Sequence, residues 1–409
     1  MSGKDHLRKV LTLCKYHGFF QQAHVLNQNS VTGCYDYGPL GTDLKRNIEN
    51  EWWHSVVSAK ENMFGVDCSS LHVQPTNHSH DNQLEVAVPQ FKVTAHQGSN
   101  ESEEFTTGQS SANHWFLQST FSNSLCRHYP HILQLVGKKL PFGMAQVGKC
   151  FRYAEDSSKS IYSMPEFTEL MVNFFSAPKD SNQWLYSWQR ERLQWWRKFS
   201  GTPSLFSVSV QEDANTADIL FQFPWGVEVI ERIANRGTGL LEQLYTETKK
   251  NIQGKIGRRF VTPNVIEMVA GLDAGMFAYL VEAIQQKQIP DASGKSITRK
   301  VLRLHARLAP IKLAIISSKA DREIKEVAEY LSKEFCQTGI KVFHLGESPQ
   351  SIEKEFFRFD EMGIPFSIVI DEATLKTGIT EIRHRDTTMK QQVHITEVKE
   401  LIQKHLNAY

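Results

Sequence analysis

The sequence has few cysteines, no long apolar run and almost no net charge, and each absence excludes a class of protein. None of the six cysteines belongs to a Cys-x-x-Cys pair, which argues against a disulfide framework and favours free thiols in a reducing compartment. No apolar run approaches the roughly 20 residues that a membrane-spanning helix needs. Because the net charge is only +1, any contact with nucleic acid must come from a local basic patch.

What is present is an ordinary globular composition. The chain has 409 residues, of which 40% are hydrophobic and 22% are charged, enough for two or three domains. We predict a first domain over residues 1–305, interrupted by an insertion or dimerisation region at 88–136, and a second domain over 306–409. Lys4, Arg8 and Lys9 lie near the N-terminus, but this segment indicates the start of a helix. If the protein is imported into an organelle, we expect its presequence to be missing from this chain.

Hydrophobic periodicity predicts helices and strands in the first 200 residues. Apolar residues at every fourth position predict an amphipathic helix over Thr42–Ser58. A strand is predicted over Met63–Val73, ending at Pro75. Residues 88–114 are polar, small and aperiodic, which is typical of a flexible insertion. Further predicted elements are a helical segment at Leu133–Lys139, paired strands at Ala145–Phe151 and Phe167–Phe175, and a helix at Asn182–Phe199.

The C-terminal residues form a separate α/β unit. Strand patterns alternate with amphipathic helices, which predicts a mostly parallel sheet closed by an antiparallel hairpin. The predicted strands are Lys312–Ser317, Ile340–Leu345, Pro365–Asp371, Ile379–Arg385 and Gln391–Ile395, and the predicted helices are Ala320–Cys336, Gln350–Met362 and one at the C-terminus.

Several sequence blocks follow one another in a characteristic order. They are Val31–Gly41, Pro141–Arg152 with Glu166–Phe167, Pro263–Met276, Leu308–Lys312, Phe359–Phe366 and Arg383–Thr387. In order and spacing these blocks resemble the class II glycyl-tRNA synthetases. The resemblance implies an α/β (α+β) fold: a class II synthetase-like antiparallel sheet with flanking helices, then an anticodon-binding-like α/β domain with a mixed sheet.

Three positions depart from that family at the signatures that hold ATP and the amino acid. The resemblance implies a glutamate at Ala154 and arginines at Pro165 and Ala274. Alanine and proline cannot supply charge-assisted contacts, and losing one such contact typically slows a reaction by about 10²–10³-fold. Arg152 is kept, and Glu155 lies one residue along, on the other face of a strand. We therefore predict no catalytic residue, no cofactor and no enzyme activity.

Other runs resemble a non-catalytic branch of this family, the accessory subunits of mitochondrial DNA polymerase. They are Ser181–Leu185, Leu193–Phe199, Phe223–Gly226, Arg303–His305 and Arg385–Lys390. The resemblance implies a mitochondrial homodimer, located in the matrix nucleoid, that binds the catalytic polymerase subunit and double-stranded DNA and raises processivity. A helical insertion strengthens the dimer in that family, but residues 88–127 are short and polar here, so the extent of the interface stays open. The alternatives are a divergent glycyl-tRNA synthetase and an RNA-binding synthetase paralogue.

Two basic clusters are candidates for contact with DNA. Within eleven positions, Gly254 and Gly257 are interspersed among the basic residues Lys249, Lys250, Lys255, Arg258 and Arg259. We predict a mobile loop that lies along phosphates and releases counterions, with a solvated loop as the alternative. The second cluster comprises Arg299, Lys300, Arg303 and Arg307. We interpret it as a charged linker helix, and the alternative is contact with DNA or with an acidic polymerase surface.

The candidate polymerase contact lies on a late strand of the C-terminal unit. It comprises Arg383, His384 and Arg385, and the alternative is an outward-facing polar edge.

Two further groups receive structural interpretations. Four tryptophans at helical spacing predict packing rather than a base-stacking platform, and they are Trp184, Trp188, Trp195 and Trp196. The second group could form a zinc site or a polar surface loop, and it comprises His72, His78, His80 and Asp81. We prefer the surface loop because no cysteine pair is nearby.

Overall fold

The computed structural model describes residues 3–23, 34–75, 91–93, 113–153, 161–210, 215–290, 296–319, 321–345 and 351–407. The architecture is mixed α/β, as predicted, with a seven-stranded sheet near the centre and a five-stranded sheet at the C-terminus. No helix in the described part of the chain has both the length and the apolar character that a bilayer crossing requires.

Helices and strands alternate along the described residues. The helices are α1 (Gly3–Tyr16), α2 (Pro39–Trp53), α3 (Ser122–Cys126), α4 (Tyr129–Leu135), α5 (Ser181–Lys198), α6 (Gly239–Thr248), α7 (Leu272–Ala283), α8 (Arg322–Gln337), α9 (Ile352–Met362), α10 (Glu372–Thr377) and α11 (Val398–Asn407). The strands of the first three-quarters are β1 (Phe20–Gln22), β2 (Tyr35–Tyr37), β3 (Met63–Gly65), β4 (Leu71–Pro75), β5 (Lys92–Val93), β6 (Asn113–Leu117), β7 (Phe142–Phe151), β8 (Glu166–Ser176), β9 (Phe206–Val210), β10 (Thr216–Phe223), β11 (Gly226–Asn235), β12 (Gly254–Ile256), β13 (Arg259–Val261), β14 (Asn264–Gly271), β15 (Ile284–Pro290) and β16 (Ser296–Leu302). The remaining strands are β17 (Leu313–Ser317), β18 (Val342–Leu345), β19 (Phe366–Ile370), β20 (Ile379–His384) and β21 (Lys390–His394).

The seven-stranded sheet has the order β3-β7-β8-β14-β11-β10-β9. Neighbouring strands are antiparallel except β3 and β7, which are parallel. Strands β7 and β8 pair without interruption from Phe142 opposite Phe175 to Phe151 opposite Glu166. The two strands predicted at Ala145–Phe151 and Phe167–Phe175 are therefore confirmed as a pair, each slightly longer than predicted.

Alternation of side chains gives this sheet two covered faces. On one face, Val172, Phe174 and Met268 belong to a large core that also contains buried residues of α1, α2, α5 and α7. On the other face, Met171 and Phe175 pack with buried residues of α3, α4 and α6. We call this second side of the sheet the α3 face.

The C-terminal sheet has the order β18-β17-β19-β20-β21. Strand β17 is parallel to β18 and β19, while β20 and β21 are antiparallel to their neighbours. This confirms the prediction of a mostly parallel sheet with an antiparallel hairpin at its end. The side chain of Asp321 caps α8 by accepting the backbone N–H of Glu323 at 2.8 Å.

Four predicted elements differ from the structure. The strand predicted at Met63–Val73 is split between β3 in the central sheet and β4 in a small sheet with β5 and β6. Helix α4 ends at Leu135, because Gly137 and Lys138 adopt positive φ angles of 60° and 63°. The linker helix predicted at residues 299–307 is wrong, since its first half lies in strand β16. Within the predicted insertion region 88–136, α3 and α4 bury apolar side chains in the core, while most of the predicted polar stretch 88–114 lies outside the described residues.

The two predicted domains share one hydrophobic core. Leu302 and Leu304 belong to the same buried cluster as Phe359 and Ile364 of the C-terminal unit. Polar contacts cross the junction as well, from Asn47 to the carbonyls of Leu308 and Ala309, from Arg307 to Glu51 at 2.7 Å, and from His17 to Glu361 at 3.0 Å. The C-terminal unit is therefore packed firmly against the rest of the chain, and the boundary at 305/306 stays a prediction.

His305 lies at this junction and makes stability sensitive to pH. Its ring packs edge-on against Phe199 at 5.1 Å, and its Nδ1 accepts the backbone N–H of Arg307 at 3.2 Å. Burial lowers the pKa of His305 to about 4, assisted by Arg307 and Lys198. Below about pH 6.5 the unfolded chain therefore binds more protons at His305 than the folded chain does. The contribution of His305 to the free energy of unfolding is complete above that pH and is lost as the pH falls through about 4.

We expect His305→Gln to remove part of the acid sensitivity of folding. In the unmodified chain, the free energy of unfolding is expected to fall by about 1–2 kcal/mol from this group between pH 7 and pH 4, after allowing for partial solvent screening. Urea denaturation across that range measures the difference between the two proteins. Parallel pH curves for both proteins would contradict the assignment.

Candidate functional site

A row of polar side chains lies buried on the α3 face, in the middle of the central sheet. Gln146, Glu169 and Asn173 are completely buried, and Glu267 is almost so. They come from the adjacent strands β7, β8 and β14. Burying polar and charged groups costs free energy unless each finds a partner, so the partners of this row decide what the face can do.

The segment Thr120–Cys126 supplies partners for Glu169, Asn173 and Glu267. Gln146 instead donates to the Cys68 carbonyl at 3.2 Å, and its Oε1 and the Oδ1 of Asn173 have no hydrogen-bond partner among the described residues. The Glu169 carboxylate accepts hydrogen bonds from the Thr120 hydroxyl at 3.0 Å and the Phe121 backbone N–H at 2.8 Å. Ser122 donates its hydroxyl to Glu267, and Asn173 donates to the Ser122 carbonyl at 3.2 Å. Burial raises the pKa of Glu169, and the N–H of Phe121 opposes that shift.

Phe121 closes the same face sterically. Its side chain is completely buried, and a Cβ placed on Gly148 of β7 would approach its ring to 2.7 Å. The glycine at position 148 therefore makes room for the ring. Together, the hydrogen bonds of Thr120–Cys126 and the ring of Phe121 cover the polar row with the chain's own residues.

Arginines at the rim of this face are also engaged. Arg152 contacts Glu169 at 3.3 Å and lies over the Phe167 ring at 4.5 Å, with its side chain half exposed. Arg236 binds Glu267 through Nε at 2.9 Å and through a terminal nitrogen at 2.6 Å. The resulting charge balance leaves both buried carboxylates paired.

Two of the three altered signature positions lie within the described residues. Ala274 is in the first turn of α7, beside Asp273, whose carboxylate accepts from the Tyr37 hydroxyl at 2.6 Å, Lys45 at 2.5 Å and the Thr168 N–H at 2.5 Å. The carbonyl of Pro165 accepts the N–H of Arg152 at 2.8 Å. Ala154 and Glu155 lie outside the described residues.

The predicted basic loop is an ordered hairpin in its second half. Strands β12 and β13 pair from Gly254 opposite Val261 to Ile256 opposite Arg259, and Gly257 has the positive φ of 57° that the tight turn requires. All five predicted basic residues are exposed, namely Lys249, Lys250, Lys255, Arg258 and Arg259.

Two lysines from a distant part of the sequence join this hairpin. The N–H of Lys255 donates to the Lys138 carbonyl at 2.5 Å, and the ammonium of Lys138 lies 5.9 Å from the centre of the exposed Phe260 ring. Lys139 follows in an exposed position. We call the combined set the basic hairpin surface, comprising Lys138, Lys139, Lys249, Lys250, Lys255, Arg258 and Arg259. None of the seven forms an ion pair with an acidic residue in the described ranges.

Sequence reasoning missed Lys138 and Lys139 because they precede the hairpin by more than a hundred residues. The only signal was the Gly137-Lys138-Lys139 run after a short helix. The isolated β-bridge between Lys139 and Lys255 joins segments that are distant in sequence, so no local pattern predicts it.

The alternative to the predicted polymerase contact, an outward-facing polar edge at Arg383–Arg385, is wrong for its two arginines, and the polymerase contact itself stays a prediction. Both are almost completely buried, with exposed fractions of 5% and 3%. Arg383 binds Asp360 with two contacts of 2.9 Å, and Arg385 donates to the carbonyls of Gly363 at 2.8 Å and Leu304 at 2.7 Å. These side chains stabilise the C-terminal unit and its junction, so direct contact with a partner would first require exposing them.

The other members of the two C-terminal clusters are more varied. His384 is half-buried beside Phe366 and His405, and burial lowers its pKa. Arg299 is buried and contacts Asp360 at 2.7 Å. Lys300 is exposed, and Arg303 contacts Asp386 at 3.3 Å.

The tryptophan prediction is confirmed for three of the four residues. Trp188, Trp195 and Trp196 are buried in the large core, and the Trp196 indole donates to Glu231 at 2.6 Å. Trp184 is only partly buried and packs against Phe174 at 4.8 Å. This helix therefore serves mainly for packing, with one tryptophan left near the surface.

The histidine group has no metal-site geometry where it can be described. The His72 ring stacks on Phe116 at 5.7 Å. His78, His80 and Asp81 lie outside the described residues. Among the residues that the structure does describe, no three metal-ligating side chains come together.

Comparison with known proteins identifies first the class and then the family. Residues 312–405 match the anticodon binding domain family. The fold resembles that of prolyl-tRNA synthetase from Giardia lamblia, with a TM-score of 0.70 at 15% identity, over 100% of this chain and 80% of that one. A glycine–tRNA ligase from Borreliella burgdorferi is 27% identical over 454 residues, or 98% of both chains. These similarities show a tRNA synthetase-like fold that carries a C-terminal anticodon-binding domain.

Two relatives are more specific. DNA polymerase subunit gamma-2, mitochondrial, from Xenopus laevis is 33% identical over 403 residues, which cover 95% of this chain and 86% of the relative. DNA polymerase subunit gamma-2 from Mus musculus is 34% identical over 420 residues, or 97% and 90%. The chain belongs to the DNA polymerase subunit gamma-2 family. This confirms the predicted resemblance and favours an accessory subunit of the mitochondrial DNA polymerase over a synthetase.

Proposed function

We propose that this chain acts as a non-catalytic accessory subunit that binds both the catalytic polymerase subunit and double-stranded DNA in the mitochondrial matrix. The observation that carries the proposal is the basic hairpin surface, seven cations on and around an ordered hairpin that have no acidic partners among the described residues. Such a surface binds phosphates without reading the base sequence, as a processivity factor must. Holding the duplex beside the polymerase lowers the rate at which the enzyme leaves its template.

Loss of synthetase chemistry is the second part of the proposal. Ala154 stands at the signature glutamate position, and Pro165 and Ala274 stand at the signature arginine positions. Three charged contacts to ATP and the amino acid are therefore missing. The covered α3 face supports the same conclusion, because Glu169 and Glu267 already hold partners from within the chain. The chain then needs no cofactor.

The polymerase contact is assigned to the C-terminal unit. Arg383 and Arg385 would act indirectly, by fixing the turn that follows β20. That turn presents Met389, whose side chain is 70% exposed, and it lies beside the half-buried His384. We further propose that the chain forms a homodimer, as predicted from the sequence, with residues 88–136 contributing to the interface.

Primer extension by the catalytic polymerase subunit tests this function directly. At physiological salt we expect longer products and less dissociation when this chain is present than when it is absent. ATP–pyrophosphate exchange with glycine distinguishes the ligase alternative, and no turnover is expected. Unchanged product lengths together with measurable exchange would overturn the proposal, and unchanged lengths without exchange would favour an RNA-binding paralogue.

A further inference from the structure

A groove runs along the outer side of α5, next to the basic hairpin surface. Its first part, a cavity of about 420 Å³, lies between α5, Pro141 and Ile256 of strand β12. Its second part, about 580 Å³, extends along α5 to Val208 of the edge strand β9. Gln183 and Ser187 line both parts, so the two cavities are continuous. We call this feature the α5 groove.

The helix presents one regular stripe to this groove. Gln183, Tyr186, Ser187 and Arg190 follow the spacing i, i+3, i+4 and i+7, so they share one side of α5. The side chain of Tyr186 is 61% exposed although it is a large aromatic group. Arg190 is exposed and forms no ion pair with an acidic residue of the described chain, whereas its neighbour Glu191 binds Lys60.

The composition of the groove matches the requirements of an unpaired nucleotide strand. Aromatic groups, here Tyr186 and the partly buried Trp184, provide surfaces on which bases stack. The amide of Gln183 and the carboxylate of Asp180 offer a donor and acceptors for base edges. Arg190 supplies a cation for a phosphate. Asp180 repels phosphate, which places the bases rather than the backbone at that end.

Position selects the nucleic acid over other occupants. Ile256 lines the first cavity and follows Lys255 in the same strand, and Leu140 of the same cavity follows Lys139. The groove therefore adjoins the basic hairpin surface along both chain segments. An apolar peptide would gain little from the adjoining cations, whereas a polyanion is attracted by them.

We propose that the α5 groove binds the single-stranded extension of a DNA duplex whose paired part lies on the basic hairpin surface. The inference rests on the proposed duplex binding and assigns to it a preference for junctions between paired and unpaired DNA. One base stacks on Tyr186, and the following phosphate contacts Arg190. Because stacking uses the face of the base, the preference is independent of sequence.

Fluorescence anisotropy with two labelled DNA probes tests the inference on the full chain. One probe is a blunt duplex, and the other is the same duplex with a short single-stranded thymidine tail. We expect the tailed probe to bind about tenfold more tightly, which is the worth of one stacked base. Tyr186→Ala should abolish this preference and leave blunt-duplex binding unchanged. The matched control is Tyr330→Ala, which removes a tyrosine of similar exposure (66%) from α8 in the C-terminal unit and should change neither affinity.

The outcomes separate the two proposals. Equal affinity for both probes, with blunt-duplex binding intact, overturns the groove and leaves the proposed function standing. Binding of the tailed probe alone, lost in Tyr186→Ala, supports the groove and overturns duplex binding at the hairpin. Absence of binding to either probe overturns both. If Tyr186→Ala weakens association with the catalytic subunit but not the tail preference, the groove is a protein contact and the inference is wrong.

Discussion

Replacing Lys249, Lys250 and Lys255 with alanine is expected to weaken duplex binding by about 10–100-fold at physiological salt. Each lysine that neutralises a phosphate releases counterions and contributes about 0.9 to the slope of log K against log salt, so the slope should become shallower by about 2.7. All three side chains are exposed and have no acidic partner in the described residues, so the fold should be unaffected. Titrations at several salt concentrations measure both quantities.

A matched triple variant controls for the loss of net charge. Lys325, Lys333 and Lys376 are exposed lysines of the C-terminal unit, and replacing them with alanine removes the same charge at a different place. This variant should keep the slope of the unmodified protein. If both triple variants behave alike, or if the hairpin variant keeps its full slope, DNA does not bind at the basic hairpin surface.

Asp360→Ala is expected to lower the free energy of unfolding of the C-terminal unit by about 3–5 kcal/mol. Asp360 is completely buried and binds Arg299 at 2.8 Å and Arg383 at 2.9 Å, both of them almost completely buried. Removing the carboxylate leaves two cations without their counterion in a medium that solvates them poorly. Urea denaturation followed by circular dichroism reports the loss.

The comparison variant is Glu372→Gln, which breaks an ion pair with Lys319 at 2.7 Å in which both side chains are more than half exposed. Water screens that pair, so the denaturation midpoint should not move. Asp360→Asn keeps the volume and one acceptor oxygen and should fall between the two. Similar midpoints for Asp360→Ala and Glu372→Gln would show that the buried arginines find other partners.

The long amphipathic elements were predictable because their periodicity is local. Helix α5 begins at Ser181 and ends at Lys198, within a residue of the prediction, since its apolar stripe alone specifies the buried side. The alternation in the C-terminal unit likewise announced its parallel sheet. The failures occurred where tertiary partners decide. A sequence pattern alone predicts that an arginine in a strand is exposed. Arg383 is buried because Asp360, 23 residues earlier, neutralises its charge.

The candidate site was predictable only in part, for the same reason. The five basic residues near position 254 lie within eleven positions of the sequence and were predicted, whereas Lys138 reaches them through a backbone hydrogen bond to Lys255. The covering of Glu169 by Phe121 spans 48 residues, and neither residue has a sequence signal of its own. The motif positions indicated which charged groups are absent, but they did not predict that the chain's own residues cover the α3 face.

The segment Thr120–Cys126 couples the covering of the α3 face to the stability of the fold. Glu169 and Glu267 already accept donors from within the chain, and the Phe121 ring is seated over Gly148. Each of those contacts contributes to folding, so breaking them to bind a nucleotide on this face would destabilise the protein. Any ligand for this face would therefore have to compete with the interior of the protein itself.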